Sequence, residues 1–238
     1  MGAAQRARHL EARTNTCTSY RVDGQTAPPT KYDDRVTNLA KGTAPAARPW
    51  ALSLADLVQA AVFAALIAVL GLTPAINLSA GVPITLQSLG VMLAGAVLGP
   101  KKGTLAVAIF MVLAIAGLPI LSGGRTGLVS LNAPTAGFFV GFLPAVIVIG
   151  VLTAMMMPKY NIVLGIVINL IGGMAVLYAC GTIGLMIKAD MGLGAALATN
   201  GPFVAGDIAK AVVAALIAAP VHRGRPGLID PLGRRRHA

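Results

Sequence analysis

The sequence predicts an all-α integral membrane protein with six transmembrane helices and both termini in the cytoplasm. Apolar residues make up 56% of the 238 positions, and only 11% are charged, against about 25% in soluble domains. The charges are also segregated, because the stretches 57–100, 103–124, 126–158 and 160–187 contain none. Uncharged apolar runs of this length are typical of membrane-spanning helices.

The first three helices are predicted at 54–72, 83–98 and 104–121. Thr73-Pro74 ends the first helix, since proline disfavours helical backbone at the residue before it. The second and third are separated by a tight turn of sequence Gly-Pro-Lys-Lys-Gly at 99–103, a combination that marks a chain reversal.

The last three helices are predicted at 134–155, 161–187 and 203–221. Two glycines follow Ser122 and open the loop before the fourth helix, and Asn200-Gly201-Pro202 opens the sixth. Pro144 is expected to kink the fourth helix, because proline removes a backbone donor and clashes with the preceding turn.

The basic residues indicate the orientation. With six spans, sixteen of the nineteen Lys and Arg residues fall on the side of the two tails, and three fall on the other side. Because basic residues accumulate in cytoplasmic loops, both tails are expected in the cytoplasm. We therefore divide the chain into a disordered basic N-terminal tail at 1–49, a transmembrane domain at 50–222 and a basic cytoplasmic C-terminal tail at 223–238.

Several classes of function are excluded by residues that the sequence lacks. The net charge of +11 comes from tails and short loops without the aromatic pattern of a nucleic-acid-binding sheet. There is no phosphate-binding loop, no zinc motif and no nucleophile motif. Cys17 and Cys180 do not form a metal or disulfide framework. The composition favours a binding or translocating protein with no cofactor, whose energy comes from another chain, over an enzyme.

Asp207 and Lys210 form the most informative pair in the chain. They lie three residues apart in the last apolar segment, so a helix places them on one face. A charge inside a membrane costs at least about 2.5–3.5 kcal/mol, which makes such a pair a candidate functional site. The alternative is an ion pair that only neutralises itself at the helix end.

Four further polar residues are candidates at the outer ends of the helices. Thr85 and Gln87 open the second helix, and Arg125 lies in a glycine-rich loop that could close over a ligand. The planar Arg125 side chain suits a carboxylate, and Asn132 precedes the fourth helix. Each has a structural alternative: helix capping for Thr85 and Asn132, an interhelical hydrogen bond for Gln87 and an interfacial anchor for Arg125.

Small residues recur at helical spacing in the first helix. Ala61, Ala64, Ala65 and Ala68 could let another helix approach closely. This surface is either packed within the bundle or presented to a partner protein, and spacing does not separate the two.

Five segments resemble the BioY family, the biotin-binding S components of energy-coupling factor (ECF) transporters. They are VPITLQSLGVMLAG at 82–95, the turn at 98–103, GLP at 117–119, NAPTAGF at 132–138 and GPFVAGDIAK at 201–210. The family order is kept over about residues 54–221. The loop departs from the usual family pattern where Ala133 and Ala136 replace glycines.

The resemblance implies an S-component-like bundle in the cell membrane that takes up biotin from an outward-facing pocket. By resemblance, Asp207 and Lys210 are the ligand-binding pair and Arg125 lies in the lid loop. The ureido ring of biotin offers two N–H donors and one carbonyl acceptor, which a carboxylate and an ammonium complement.

The resemblance also implies partners. An ECF transmembrane subunit with two ATPase subunits would dock on the first-helix alanines, or the chain would act as a homo-oligomer. Two other functions stay open at this stage: an S component for another vitamin, and a ligand-free membrane assembly subunit.

Overall fold

The computed structural model describes residues 52–73, 76–77 and 83–231, and this part of the chain is almost entirely helical. The helices are α1 (Leu54–Leu72), α2 (Gln87–Ile115), α3 (Gly127–Asn132), α4 (Ala136–Met156), α5 (Ile162–Leu170), α6 (Leu177–Lys188), α7 (Leu193–Asn200) and α8 (Val204–Gly224). A π-helical segment, Ile171–Val176, joins α5 to α6, and a 3-10 turn, Gly201–Phe203, joins α7 to α8. The predicted N-terminal tail lies outside the described residues.

Within the described residues, five helical stretches are long and apolar enough to cross a membrane. They are Leu54–Leu72, Gln87–Ile115, Ala136–Met156, Ile162–Lys188 and Leu193–Gly224. The second is not one straight rod, because Gly99 has a left-handed backbone with φ of 75°. The count of six membrane crossings stays a prediction.

The backbone at Gly99 reverses the chain. A Cβ placed on Gly103 would lie 2.6 Å from the Ala94 carbonyl oxygen, although nine residues of continuous helix would separate the two positions by about 13 Å. Residues 87–98 and 100–115 therefore pack against each other as a helical hairpin. The sequence predicts this reversal from the Gly-Pro dipeptide, and glycine is needed there because φ is positive.

Helix α4 lies at the centre of the bundle and packs on both α2 and α6. The ring of Phe142 packs between two other rings. Its centroid lies 6.4 Å from that of Phe110 on α2 and 6.3 Å from that of Phe139 on α4. On the side of α6, Gly137 and Gly184 touch through their backbones, since a Cβ on Gly137 would lie 2.8 Å from the Gly184 Cα. This absence of side chains allows α4 and α6 to cross closely.

Three helix boundaries differ from the sequence-based prediction. The second helix begins at Gln87, because Pro83–Ile84 instead pairs antiparallel with Ile76–Asn77. The predicted third helix, which forms the second half of α2, ends at Ile115 and not at residue 121. Gly117, two residues later, has a positive φ of 107°. Residues 193–200 form helix α7 between the predicted fifth and sixth helices, where no helix was predicted, and the three alanines of this segment favour helix.

Residues assigned by sequence to the tail side meet at one end of the bundle. Lys102, in the 99–103 turn, forms an ion pair with Asp56 at 3.5 Å and donates to the Leu228 carbonyl at 2.8 Å. His222, near the end of α8, bonds the Ala96 carbonyl at 2.8 Å and stacks on Tyr160. Burial raises the pKa of the Tyr160 hydroxyl to about 12, because desolvation disfavours the charged phenolate.

Candidate ligand-binding site

A cavity opens at the end of the bundle opposite Lys102. It contains about 670 Å³ of space free of protein atoms, a volume that includes space open to solvent. Its walls come from α2, α4, α6, α8 and the 121–135 segment. The lining residues are Thr85, Gln87, Ser88, Leu121, Ser122, Arg125, Ser130, Thr135, Phe138, Phe139, Phe142, Leu177, Tyr178, Phe203, Asp207 and Lys210.

The charged pair Asp207–Lys210 lies in this wall. The Lys210 Nζ donates to Asp207 Oδ1 at 2.8 Å and to Ser88 Oγ at 3.1 Å. The Tyr178 hydroxyl donates to the other carboxylate oxygen, Asp207 Oδ2, at 2.6 Å. Helix α8 supplies the two charges on one face, as their spacing predicts, while α2 and α6 supply the two hydroxyls.

Burial makes this cluster energetically sensitive. Asp207 is 4% exposed and Lys210 is 7% exposed, so neither charge is screened by bulk water. Breaking a buried pair by removing one partner costs about 3–5 kcal/mol, because the remaining charge is left uncompensated. The pair faces neither lipid nor a sealed interior, since both residues line the open cavity.

Counting donors and acceptors shows what the cluster can still bind. Within the described residues, the Lys210 ammonium uses two of its three N–H groups, and Asp207 Oδ2 accepts from Tyr178 alone. A carboxylate oxygen accepts about two hydrogen bonds. The cluster can therefore donate one further hydrogen bond and accept at least one, which suits a neutral ligand group that carries both a carbonyl and an N–H.

Three other predicted site residues also line the cavity. The Gln87 amide nitrogen donates to the Ile120 carbonyl at 3.4 Å, and the Thr85 hydroxyl accepts from the Gln87 backbone at the same distance. Arg125 Nε donates to the Ser122 carbonyl at 3.1 Å. Thr85 thus bonds the first turn of α2, as expected for helix capping. Gln87 bonds a carbonyl in the segment after α2, where a bond to another helix was the expected structural contact.

Asn132 is not part of this group. Its amide donates to the Leu128 carbonyl at 3.0 Å within α3, and it does not line the cavity.

The first-helix alanines divide between two environments. Ala64 is buried in the core and Ala68 packs against it, whereas Ala61 and Ala65 are exposed.

The start of the last helix agrees with the prediction, since α8 begins at Val204. The sequence predicts a beginning near Phe203, which puts Asp207 in the first turn of the helix, as observed. Helix α7 and a 3-10 turn precede α8 and extend the apolar helical stretch back to Leu193. Ser122 and Arg125 of the 121–135 segment and Phe203, just before α8, line the same cavity.

Sequence reasoning missed most of the hydroxyl groups in the cavity. Ser88 directly follows the predicted Gln87, and Tyr178 is the single tyrosine of the predicted fifth helix, but their partnership with Asp207 depends on helix packing. Ser122, Ser130 and Thr135 are buried, and no protein group within the described residues bonds their hydroxyls. Only their position in the loop before the fourth helix could have suggested a role.

The BioY family model matches residues 42–227. The chain belongs to the BioY family. Biotin transporter BioY of Rhodobacter capsulatus is 45% identical over 177 residues, which are 70% of this chain and 93% of that protein. Biotin transporter BioY of Rhizobium etli is 45% identical over 181 residues, or 74% and 97% of the two chains.

A solved structure of the biotin S-component from an ECF-type ABC transporter matches the fold. Its TM-score is 0.70 at 32% identity, over 75% of this chain and 97% of the other. The resemblance to an S-component bundle is thus confirmed. Together with the long apolar helices, it makes this BioY family member a multi-pass membrane protein.

Proposed function

We propose that this protein binds biotin for uptake across the cell membrane, as the S component of an ECF-type ABC transporter. The observation that carries the proposal is the buried Asp207–Lys210 pair, which lines the cavity and can still donate one N–H from Lys210 and accept a second hydrogen bond at Asp207 Oδ2. A ureido ring has the matching carbonyl and N–H groups. The apolar rings of biotin match the phenylalanines of α4, Phe138, Phe139 and Phe142.

Titration of the detergent-solubilised protein with biotin tests the proposal. We expect saturable one-to-one heat and an increase of the thermal unfolding midpoint with biotin, because a ligand that binds only the folded state stabilises it. Thiamine and riboflavin serve as controls and are expected to give neither effect. Stabilisation by one of these instead would assign the S component to another vitamin, and no response to any vitamin would favour a ligand-free assembly subunit.

We further propose that transport needs other chains. The sequence contains no phosphate-binding loop, so ATP would be hydrolysed by partner ATPase subunits joined through an ECF transmembrane subunit. Ala61 and Ala65 are exposed on α1 and could let a partner helix approach closely. A homo-oligomer is the alternative assembly.

For the orientation, we propose that both termini are cytoplasmic. Support comes from the basic residues of the predicted tail side, since Lys102 and the segment near His222 lie at the end of the bundle opposite the cavity. In a Cys180→Ala variant, Cys17 is the single remaining cysteine. We expect a membrane-impermeant maleimide to label it only after the cells are permeabilised; labelling in intact cells would reverse the orientation.

A further inference from the structure

Helix α8 is hydrogen-bonded to α2 near both of its ends. At the cavity, Lys210 Nζ donates to Ser88 Oγ at 3.1 Å. At the opposite end of the bundle, the ring nitrogen Nε2 of His222 lies 2.8 Å from the Ala96 carbonyl oxygen. Because a carbonyl can only accept, Nε2 carries the proton and donates it. The two bonds hold the helix pair at points about 18 Å apart along α8, at 1.5 Å per residue.

The Ala96 carbonyl is available to His222 because of the chain reversal that follows it. In a continuous α-helix this carbonyl would accept from the backbone N–H of residue 100. That residue is Pro100, which has no N–H, and Gly99 before it turns the chain with a φ of 75°. His222 therefore supplies, from another helix, the donor that α2 cannot provide for itself.

The imidazole ring of His222 is held by its surroundings. It is 8% exposed and stacks on the ring of Tyr160, with centroids 5.1 Å apart and planes inclined by 27°. Stacking fixes the plane of the ring, and the hydrogen bond fixes the direction of its edge. The end of α8 thus has a defined position relative to residue 96.

Between these two hydrogen bonds, the buried surface of α8 consists of alanine. Three of these alanines share a buried cluster with Met92, Leu93 and Val97 of α2. Alanines let two helices approach closely, but they form only low ridges, and the fit of ridges into grooves is what fixes how helices lie on each other. The polar contacts near the ends of α8 are then needed to set its position along α2. The buried alanines are Ala211, Ala214, Ala215, Ala218 and Ala219.

We propose that His222 is a positioning residue for the ligand site. By fixing α8 against α2 at one end, it sets where Asp207 and Lys210 lie relative to Ser88 at the other end. A displacement of about 1 Å is enough to break a hydrogen bond of this length. The inference rests on the proposed function and adds to it a residue that does not line the cavity.

The test compares two amide side chains at this position. The side-chain nitrogen of glutamine can take the place of Nε2, whereas that of asparagine is one methylene group too short. We expect His222→Gln to bind biotin within about twofold of the wild type and His222→Asn to bind it about tenfold more weakly, the effect of one lost hydrogen bond. Arg223→Gln is the control, because Arg223 is the exposed neighbour, and it should bind as the wild type does.

A double-variant cycle with Ser88→Ala distinguishes positioning from a general loss of structure. Titration calorimetry gives the biotin affinity of each purified protein, and thermal unfolding verifies the fold. Ser88→Ala should weaken biotin binding in the wild type but add little in the His222→Asn background, because the contact with Lys210 is already lost there. If His222→Asn does not fold, His222→Phe replaces it, since phenylalanine keeps the stacking on Tyr160 and lacks the donor.

Three results would overturn the role of His222 while leaving biotin binding by the wild type intact. They are unchanged affinity in the variant that lacks the donor, equal weakening in His222→Gln and His222→Asn, and a full effect of Ser88→Ala in both backgrounds. A wild type that does not bind biotin would overturn the proposed function, and this inference with it.

Discussion

Replacing Asp207 with asparagine is expected to weaken biotin binding about 100-fold, the effect of losing a charge-assisted hydrogen bond in a buried site and misplacing its partners. The carboxylate accepts from Lys210 at 2.8 Å and from Tyr178 at 2.6 Å. The asparagine amide carries no charge to balance the Lys210 ammonium, and it has one acceptor oxygen where the carboxylate has two. The measurement is titration calorimetry with biotin.

The same change is expected to lower the free energy of unfolding by about 3–5 kcal/mol, because it leaves Lys210 charged and buried without a counter-charge. A double variant, Asp207→Asn with Lys210→Gln, separates the two effects. It removes both charges and should regain most of the thermal stability without regaining affinity. If either variant bound biotin as tightly as the wild type, Asp207 would not contact the ligand.

Replacing Gly137 with alanine is expected to cost about 3 kcal/mol of stability or more, which is large for one methyl group. The added Cβ would overlap the Cys180 carbonyl oxygen and lie 2.8 Å from the Gly184 Cα. Both obstacles are backbone atoms, so α4 and α6 would have to separate. Tyr178 lies on α6, so the separation should weaken ligand binding as well.

Gly194→Ala is the matched control for this substitution. A Cβ at Gly194 would meet nothing within 4 Å, and alanine favours helix over glycine by about 1 kcal/mol. Thermal unfolding in detergent should therefore show a lower midpoint for Gly137→Ala and an equal or higher one for Gly194→Ala. Similar midpoints for the two variants would contradict the close crossing of α4 and α6.

The predicted site residues that were found in the cavity share a physical basis. Asp207 and Lys210 are separated by less than one helical turn, so helix geometry alone places them together. Arg125 was predicted from charge and loop position, and it lines the same cavity. Asn132 has an equally suitable side chain, but the short helix α3 satisfies it internally at Leu128, which a motif cannot reveal.

The two hydroxyl partners of Asp207 illustrate what sequence reasoning could not reach. Ser88 is 119 positions away from it in the chain and Tyr178 is 29 positions away. Tyr160 and Tyr178 look alike in sequence, as tyrosines beside or within an apolar run. The packing of α5 and α6 puts one against His222 and the other against Asp207.

By itself, the sequence determined the properties that depend on local order along the chain: the membrane class, the chain reversal at Gly99 and the pairing of Asp207 with Lys210. Hydropathy, turn preference and helical spacing act over a few residues, so they can be recognised without a fold. The tertiary structure alone decided which hydroxyls join the ion pair, which hydroxyls of the cavity stay unpartnered and which alanines of α1 are exposed. Those outcomes depend on how α2, α4, α6 and α8 pack, and contacts between residues this far apart in the chain exist only once the helices are assembled.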